Sequence, residues 1–180
     1  MVSHTILSVC LETVEYPDYN EVKDAAVFET NLFRKRYHGD ALSWSVRLSD
    51  KAQQVADKIG KTYVADTGKQ LDDYKRPGEN AALVKLDAAN VGKDAVDTWS
   101  RESKDFDFKS PLVTKKNSDF VQLAWKNEKE FGMGVTKSKA ENGWIVVSMY
   151  DSPYLERYQD LTSNVQPNKP VEDPYGDISG

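Results

Sequence analysis

Glu102 is the residue in this chain whose position most needs a chemical explanation. From about Lys93 to Ser103 the pattern is helical, and Ala95, Trp99, Glu102 and Phe106 fall on one face at steps of four, three and four. A carboxylate beside an apolar stripe is unusual. Its plain reading is a flanking charge that bends to solvent. Its chemical reading is acid–base work, for which a second carboxylate such as Glu79 would be the partner. Other chemistries find less support. There is no Gly-x-Ser-x-Gly elbow and no glycine-rich phosphate loop. Gly132-Met133-Gly134 lies in a strand and reads as close packing. Cys10 is the only cysteine, so neither an intramolecular disulfide nor a thiolate zinc cluster can form. Arg34-Lys35-Arg36 is a short basic run. It reads as a solvated helix end or as a contact for anionic lipid headgroups, each basic residue adding about 1 kcal/mol at such a surface.

Several elements must position these groups. Tyr16-Pro17-Asp18-Tyr19-Asn20 reads as a turn before a helix from Glu21 to about Arg36, with Ala25, Phe28 and Leu32 as its apolar spacing and His38-Gly39-Asp40 as its end. A second helix runs from about Ser45 to Ile59 on a stripe of Leu48, Ala52, Val55, Ala56 and Ile59, with Gly60 as its stop. Residues 61–80 and 105–117 read as loops. A short helix covers about Ser118 to Lys126. Two strands follow, Gly132 to Ser138 and Trp144 to Tyr150, with Asn142-Gly143 as a hairpin turn signal between them. After Asp151 the chain is rich in Pro, Asp and Tyr and reads as an extended tail.

At 180 residues the chain is expected to form one domain, and its four Trp, nine Tyr and six Phe supply large buried areas. The net charge of −5 argues against a nucleic-acid partner. No segment is long and apolar enough to span a membrane. The first residues, Met1-Val2-Ser3-His4, lack a basic leader and carry no myristoylation signal, and Asn-x-Ser/Thr acceptors are absent. With a single cysteine, the expectation is an intracellular protein; the alternative is a secreted protein trimmed at its N-terminus.

Short motifs occur in a fixed order: Phe33-Arg34-Lys35-Arg36-Tyr37-His38, Gly78-Glu79-Asn80, Trp99-Ser100-Arg101-Glu102, Ser118-Asp119-Phe120-Val121-Gln122, Tyr150-Asp151-Ser152-Pro153 and Asn164-Val165-Gln166-Pro167. Together they resemble the CAP superfamily of cysteine-rich secretory proteins, venom antigens and plant pathogenesis-related proteins, and most of all its intracellular, Golgi-associated branch. The resemblance implies an α+β fold, a three-layer α-β-α sandwich with a broad cleft. It implies an N-terminal extension over 1–20, a CAP domain over 21–153 and an extended tail over 154–180. In many members two histidines and two glutamates line the cleft and can bind zinc. Carried across, the glutamates are Glu79 and Glu102, while the histidine positions hold Asp119 and Asp66. Neither His4 nor His38 matches.

Zinc prefers imidazole or thiolate, so a zinc site is not expected. Oxygens from Asp66, Glu79, Glu102 and Asp119 would suit calcium or magnesium instead. Without such an ion, two carboxylates about 4 Å apart repel by about 4 kcal/mol at an effective dielectric near 20, so a proton would be shared and a pKa raised. The plainer expectation is a degenerate cleft without a cofactor, with Asp119 capping its own helix and Asp66-Thr67-Gly68 an ordinary turn.

The expected function is therefore non-catalytic binding, through protein interaction or scaffolding, with Tyr16, Tyr19, Tyr154, Tyr158 and Tyr175 as contacts near the two ends. The first alternative is binding of lipid or sterol at an anionic membrane surface, and the second a divalent-cation-dependent hydrolase. Because relatives dimerise, the resemblance also admits a homodimer.

Overall fold

The computed structural model describes residues 15–63, 70–152 and 161–168. The first helix, α1 (Tyr19–Arg36), is capped by Asp18, whose carboxylate accepts the N–H groups of Asn20 and Glu21. It ends where His38 adopts a positive φ of 63° and the Gly39 N–H returns to Arg34 O. The helix is where the sequence expects it, but its inner face is not. Val22, Ala26, Thr30, Phe33 and Arg34 are buried, whereas Phe28 and Leu32 point outward.

A two-residue strand β1 (Ser43–Trp44) leads into α2 (Val46–Thr62), which buries Leu48, Ala52, Ala56 and Ile59 of the expected stripe, leaves Val55 half-buried and runs two residues past Gly60. Gly60 is not a stop; a Cβ there would lie 2.7 Å from the Thr136 methyl, so the residue is small because the helix touches the sheet. A 3-10 turn (Leu71–Asp73) follows, then β2 (Glu79–Lys85), a strand in a region of the sequence without a strand pattern. Its two alanines carry little β preference. What makes it a strand is seven residues of antiparallel pairing with β4. Helix α3 (Val91–Ser100), capped by Asn90, passes into a second 3-10 turn (Arg101–Asp105) that carries Glu102. Helix α4 (Ser118–Ala124), strands β3 (Glu130–Lys137) and β4 (Gly143–Tyr150) and a helical turn α5 (Leu161–Asn164) complete the described chain.

The sheet order is β1-β3-β4-β2, with β3, β4 and β2 antiparallel and β1 parallel to β3. Alternation along the strands sorts side chains to two faces. Ala82, Val84, Trp144 and Val146 join the larger core beneath α1, α3 and α4. Ala81, Ile145 and Val147 face Ala52, Ala56 and Ile59 of α2. The result is the α-β-α sandwich.

Gly132 and Gly134 lie where α2 crosses β3. A Cβ at either would stand 2.1 Å from Ser49 N or 2.2 Å from Gln53 N, so the Gly132-Met133-Gly134 run serves close packing. The β3–β4 connection spans residues 138–142, closed by Ser138 Oγ accepting the N–H groups of Ala140 and Glu141. Asn142-Gly143 is therefore not a two-residue turn: Gly143 already pairs with Lys85, and its φ is not positive. At the other end of the chain Leu161, Asn164 and Val165 are buried, and Asn164 Oδ1 accepts the Asn127 N–H.

Candidate functional site: a carboxylate cleft built around a lysine

Pro77 and Gly78, the latter at φ 86°, turn the chain into β2, and Glu79 opens that strand almost fully buried. Its Oε2 accepts the Arg76 N–H at 2.8 Å, closing the turn on itself. Next to it, Asn80 is completely buried and donates to the Asp119 carbonyl at 3.0 Å and to the Tyr150 hydroxyl at 3.1 Å. These contacts fix α4 against the sheet.

Helix α4 has no side-chain cap of its own. Asn117, at its N-cap position, instead accepts from Thr114 N and donates to the carbonyls of Asp105 and Leu112. The missing cap comes from Glu102, whose Oε2 accepts the N–H groups of Asp119 at 2.9 Å and Phe120 at 3.2 Å. So Glu102 points along the apolar face of its segment because its partners are the orphan donors of a neighbouring helix. Asp119 does not cap the helix it sits on. Its carboxylate hydrogen-bonds to Lys75, whose Nζ also lies 3.0 Å from Asp72 and 3.5 Å from Ser118 Oγ.

The charges follow from this geometry. Burial pushes the Glu102 carboxyl up to about 8, helped by the Asp119 charge and opposed by the two N–H groups it accepts. Burial also raises Asp119, to about 6, with Lys75 holding it down. Burial works against a charge on Lys75, yet Asp119 and Asp72 outweigh it and its pKa is raised. Near neutral pH the site therefore holds a protonated Glu102, an ionised Asp119 and an ammonium.

The structure thus brings Glu102 and Asp119 together. Glu79 helps line an open cleft of about 420 Å³ together with Asp72, Lys75, Arg76 and Ser118. Asp66 lies outside the described residues. Lys75 and Asp72 escape a reading of the sequence, which holds Asn80 only as part of the Gly78-Glu79-Asn80 motif. The Asp72–Lys75 spacing of three is visible there, but the partner 44 residues away is not.

Arg34, expected as a lipid contact, is fully buried. Its guanidinium donates to the carbonyls of Asp40, Leu123 and Trp125 and pairs with buried Glu128 at 3.4 Å. It holds the C-terminal end of α4 as Glu102 holds the N-terminal end. Lys35 and Arg36 remain exposed.

A model of the cysteine-rich secretory protein family, CAP, matches residues 27–150. The chain belongs to the CAP family. It is 25% identical over 151 residues to human Golgi-associated plant pathogenesis-related protein 1, covering 84% of this chain and 94% of that protein. The crystal structure of hookworm platelet inhibitor shares the fold with a TM-score of 0.62 at 15% identity, over 87% of this chain and 80% of that one. That of MpPR-1i does so with a TM-score of 0.55 at 19% identity, over 85% and 100%.

The zinc site of CAP relatives does not fit the residues of this CAP domain. Asp119, which the resemblance sets at one histidine position, already holds an ammonium. Glu102 spends an oxygen on two backbone donors and Glu79 spends one on a third. Among the described residues no three His, Cys, Asp or Glu side chains converge to hold a metal. Nor is any helix among them long and apolar enough to cross a membrane.

Proposed function

We propose that this CAP domain is a non-catalytic module that binds another protein through the outer face of α1. The observation that supports it is the groove beside that helix. Phe28 is 65% exposed and Leu32, one turn on, is 38% exposed. They border an open groove of about 940 Å³ whose other wall includes Leu42 and Trp44 and whose rim carries Lys23 and Asp40. An apolar centre with a charged, mixed-sign rim is the anatomy of a protein interface. The core does not require these side chains, because the helix buries a different face. The tyrosines near the N-terminus contribute less: Tyr16 packs on Trp144 with ring centroids 5.0 Å apart, and the Tyr19 hydroxyl accepts from the Trp44 indole. Tyr154, Tyr158 and Tyr175 lie outside the described residues. The commitment of the cleft carboxylates to backbone and lysine partners supports the absence of catalysis, and of a calcium or magnesium cofactor. Intracellular residence is supported by the single cysteine and by similarity to a Golgi-associated protein.

The test is capture of partners from a cell extract by the native chain and by a Phe28→Glu, Leu32→Glu variant. A protein retained by the native chain and lost by the variant is expected; equal retention by both sinks the reading. Lys35 lines the same groove and Arg36 is exposed nearby, which favours an anionic lipid surface as the second reading. With Arg34 buried, that surface has lost one of its three expected cations. Co-sedimentation with anionic liposomes at low salt decides between the two.

A further inference from the structure

The charge that organises the cleft comes from the chain itself. The Lys75 side chain is 8% exposed, and its ammonium reaches three oxygens on two separate segments: Asp72 on the 3-10 turn, and Ser118 and Asp119 on the first turn of α4. Three acceptors match the three protons of an ammonium. A divalent ion on Asp119 would need to approach within about 2.0–2.6 Å of a carboxylate oxygen, the region the ammonium already occupies. It would also leave Lys75 buried and charged with only Asp72 to pair with.

We propose that Lys75 is the resident cation of this CAP cleft, standing in place of a metal ion and tying the segment from Leu71 to Arg76 to helix α4. The cleft then keeps its shape without any divalent ion. This holds whatever the α1 groove binds, so the two proposals stand or fall separately.

The experiment is nitrogen-15 NMR of the lysine ammonium groups of the full chain at neutral pH, with chelator and then with calcium, magnesium or zinc. The Lys75 signal is assigned by its disappearance in Lys75→Arg, which keeps the positive charge and so favours folding. A protected Lys75 ammonium signal in the metal-free protein, unchanged through each titration, is the expected result. Its absence from the metal-free protein, or its loss when a metal is added, overturns the assignment. A second readout is the carboxyl carbon of Asp119 in Lys75→Met. It is expected to titrate at higher pH than in the native chain, where the Lys75 ammonium holds it down. An Asp119 titration that does not move also overturns the proposal.

Discussion

Glu102 Oε2 accepts the backbone N–H of Asp119 at 2.9 Å, so one buried acidic residue caps the helix that carries the other. The two carboxyls are thereby held close while doing different things. Glu102 serves backbone donors and takes up a proton; Asp119 stays ionised against Lys75.

The pH dependence of folding carries the mark of Glu102. Its carboxyl is raised from 4.5 to about 8, so the folded state binds a proton that the unfolded chain has released. Its contribution is greatest below the unfolded value and is lost as pH rises through about 8. Glu102→Gln keeps a carbonyl acceptor without the titration and should flatten this part of the stability curve. Glu102→Ala removes the cap and should cost about 1–2 kcal/mol. Chemical denaturation at a series of pH values checks both, and a native curve that rises between pH 5 and 8 would falsify the assignment of the proton to Glu102 (window of about 4.5 to about 8).

Lys75 and Asp119 should behave as a coupled pair. Lys75→Met leaves Asp119 buried without its cation and is expected to cost about 3–5 kcal/mol, while Asp119→Asn leaves Lys75 with Asp72 alone and should cost less. The double variant should cost clearly less than the two added together. Strict additivity in a double-mutant cycle is the contrary outcome.

Arg34 is expected to be among the least replaceable residues. Lysine cannot reproduce a fork that reaches the Asp40, Leu123 and Trp125 carbonyls while pairing with Glu128. Arg34→Lys should destabilise measurably and Arg34→Met by about 3–5 kcal/mol, because Glu128 is left buried without its cation. Thermal unfolding reads this directly. Lys35→Met, on the exposed side of the same helix, is the control and should leave the midpoint nearly unchanged.

Gly134→Ala tests the packing of α2 on β3. The added methyl would meet the Gln53 backbone at 2.2 Å, and backbone in a packed helix has nowhere to go. A loss of about 3 kcal/mol or more is expected. Gly39→Ala, whose methyl would stand 3.3 Å from the Arg34 guanidinium, should cost less. Similar midpoints for the two variants would contradict the close approach.

Local pattern and ordered motifs were enough to determine α1, α2, α4 and most of α3, the final hairpin strands, the sandwich and the family, but not the helical turn α5, which lies in what reads as an extended tail. They also singled out Glu102 as out of place. Those features were legible because periodicity and short motifs are properties of neighbouring residues. The tertiary structure decided the rest. Strand β2 exists through pairing with β4, which no window around Ala81 and Ala82 reveals. Phe28 and Leu32 have the spacing of a core stripe, yet α1 packs through Val22, Ala26 and Phe33, and only its placement on α3 and α4 selects that face. Arg34 sits in a basic run that looks solvated until Glu128 and the α4 carbonyls close around it. Lys75 neutralises Asp119 across 44 residues of sequence. Charge compensation acts over a few ångströms in space, and a sequence carries no record of which distant residues come that close.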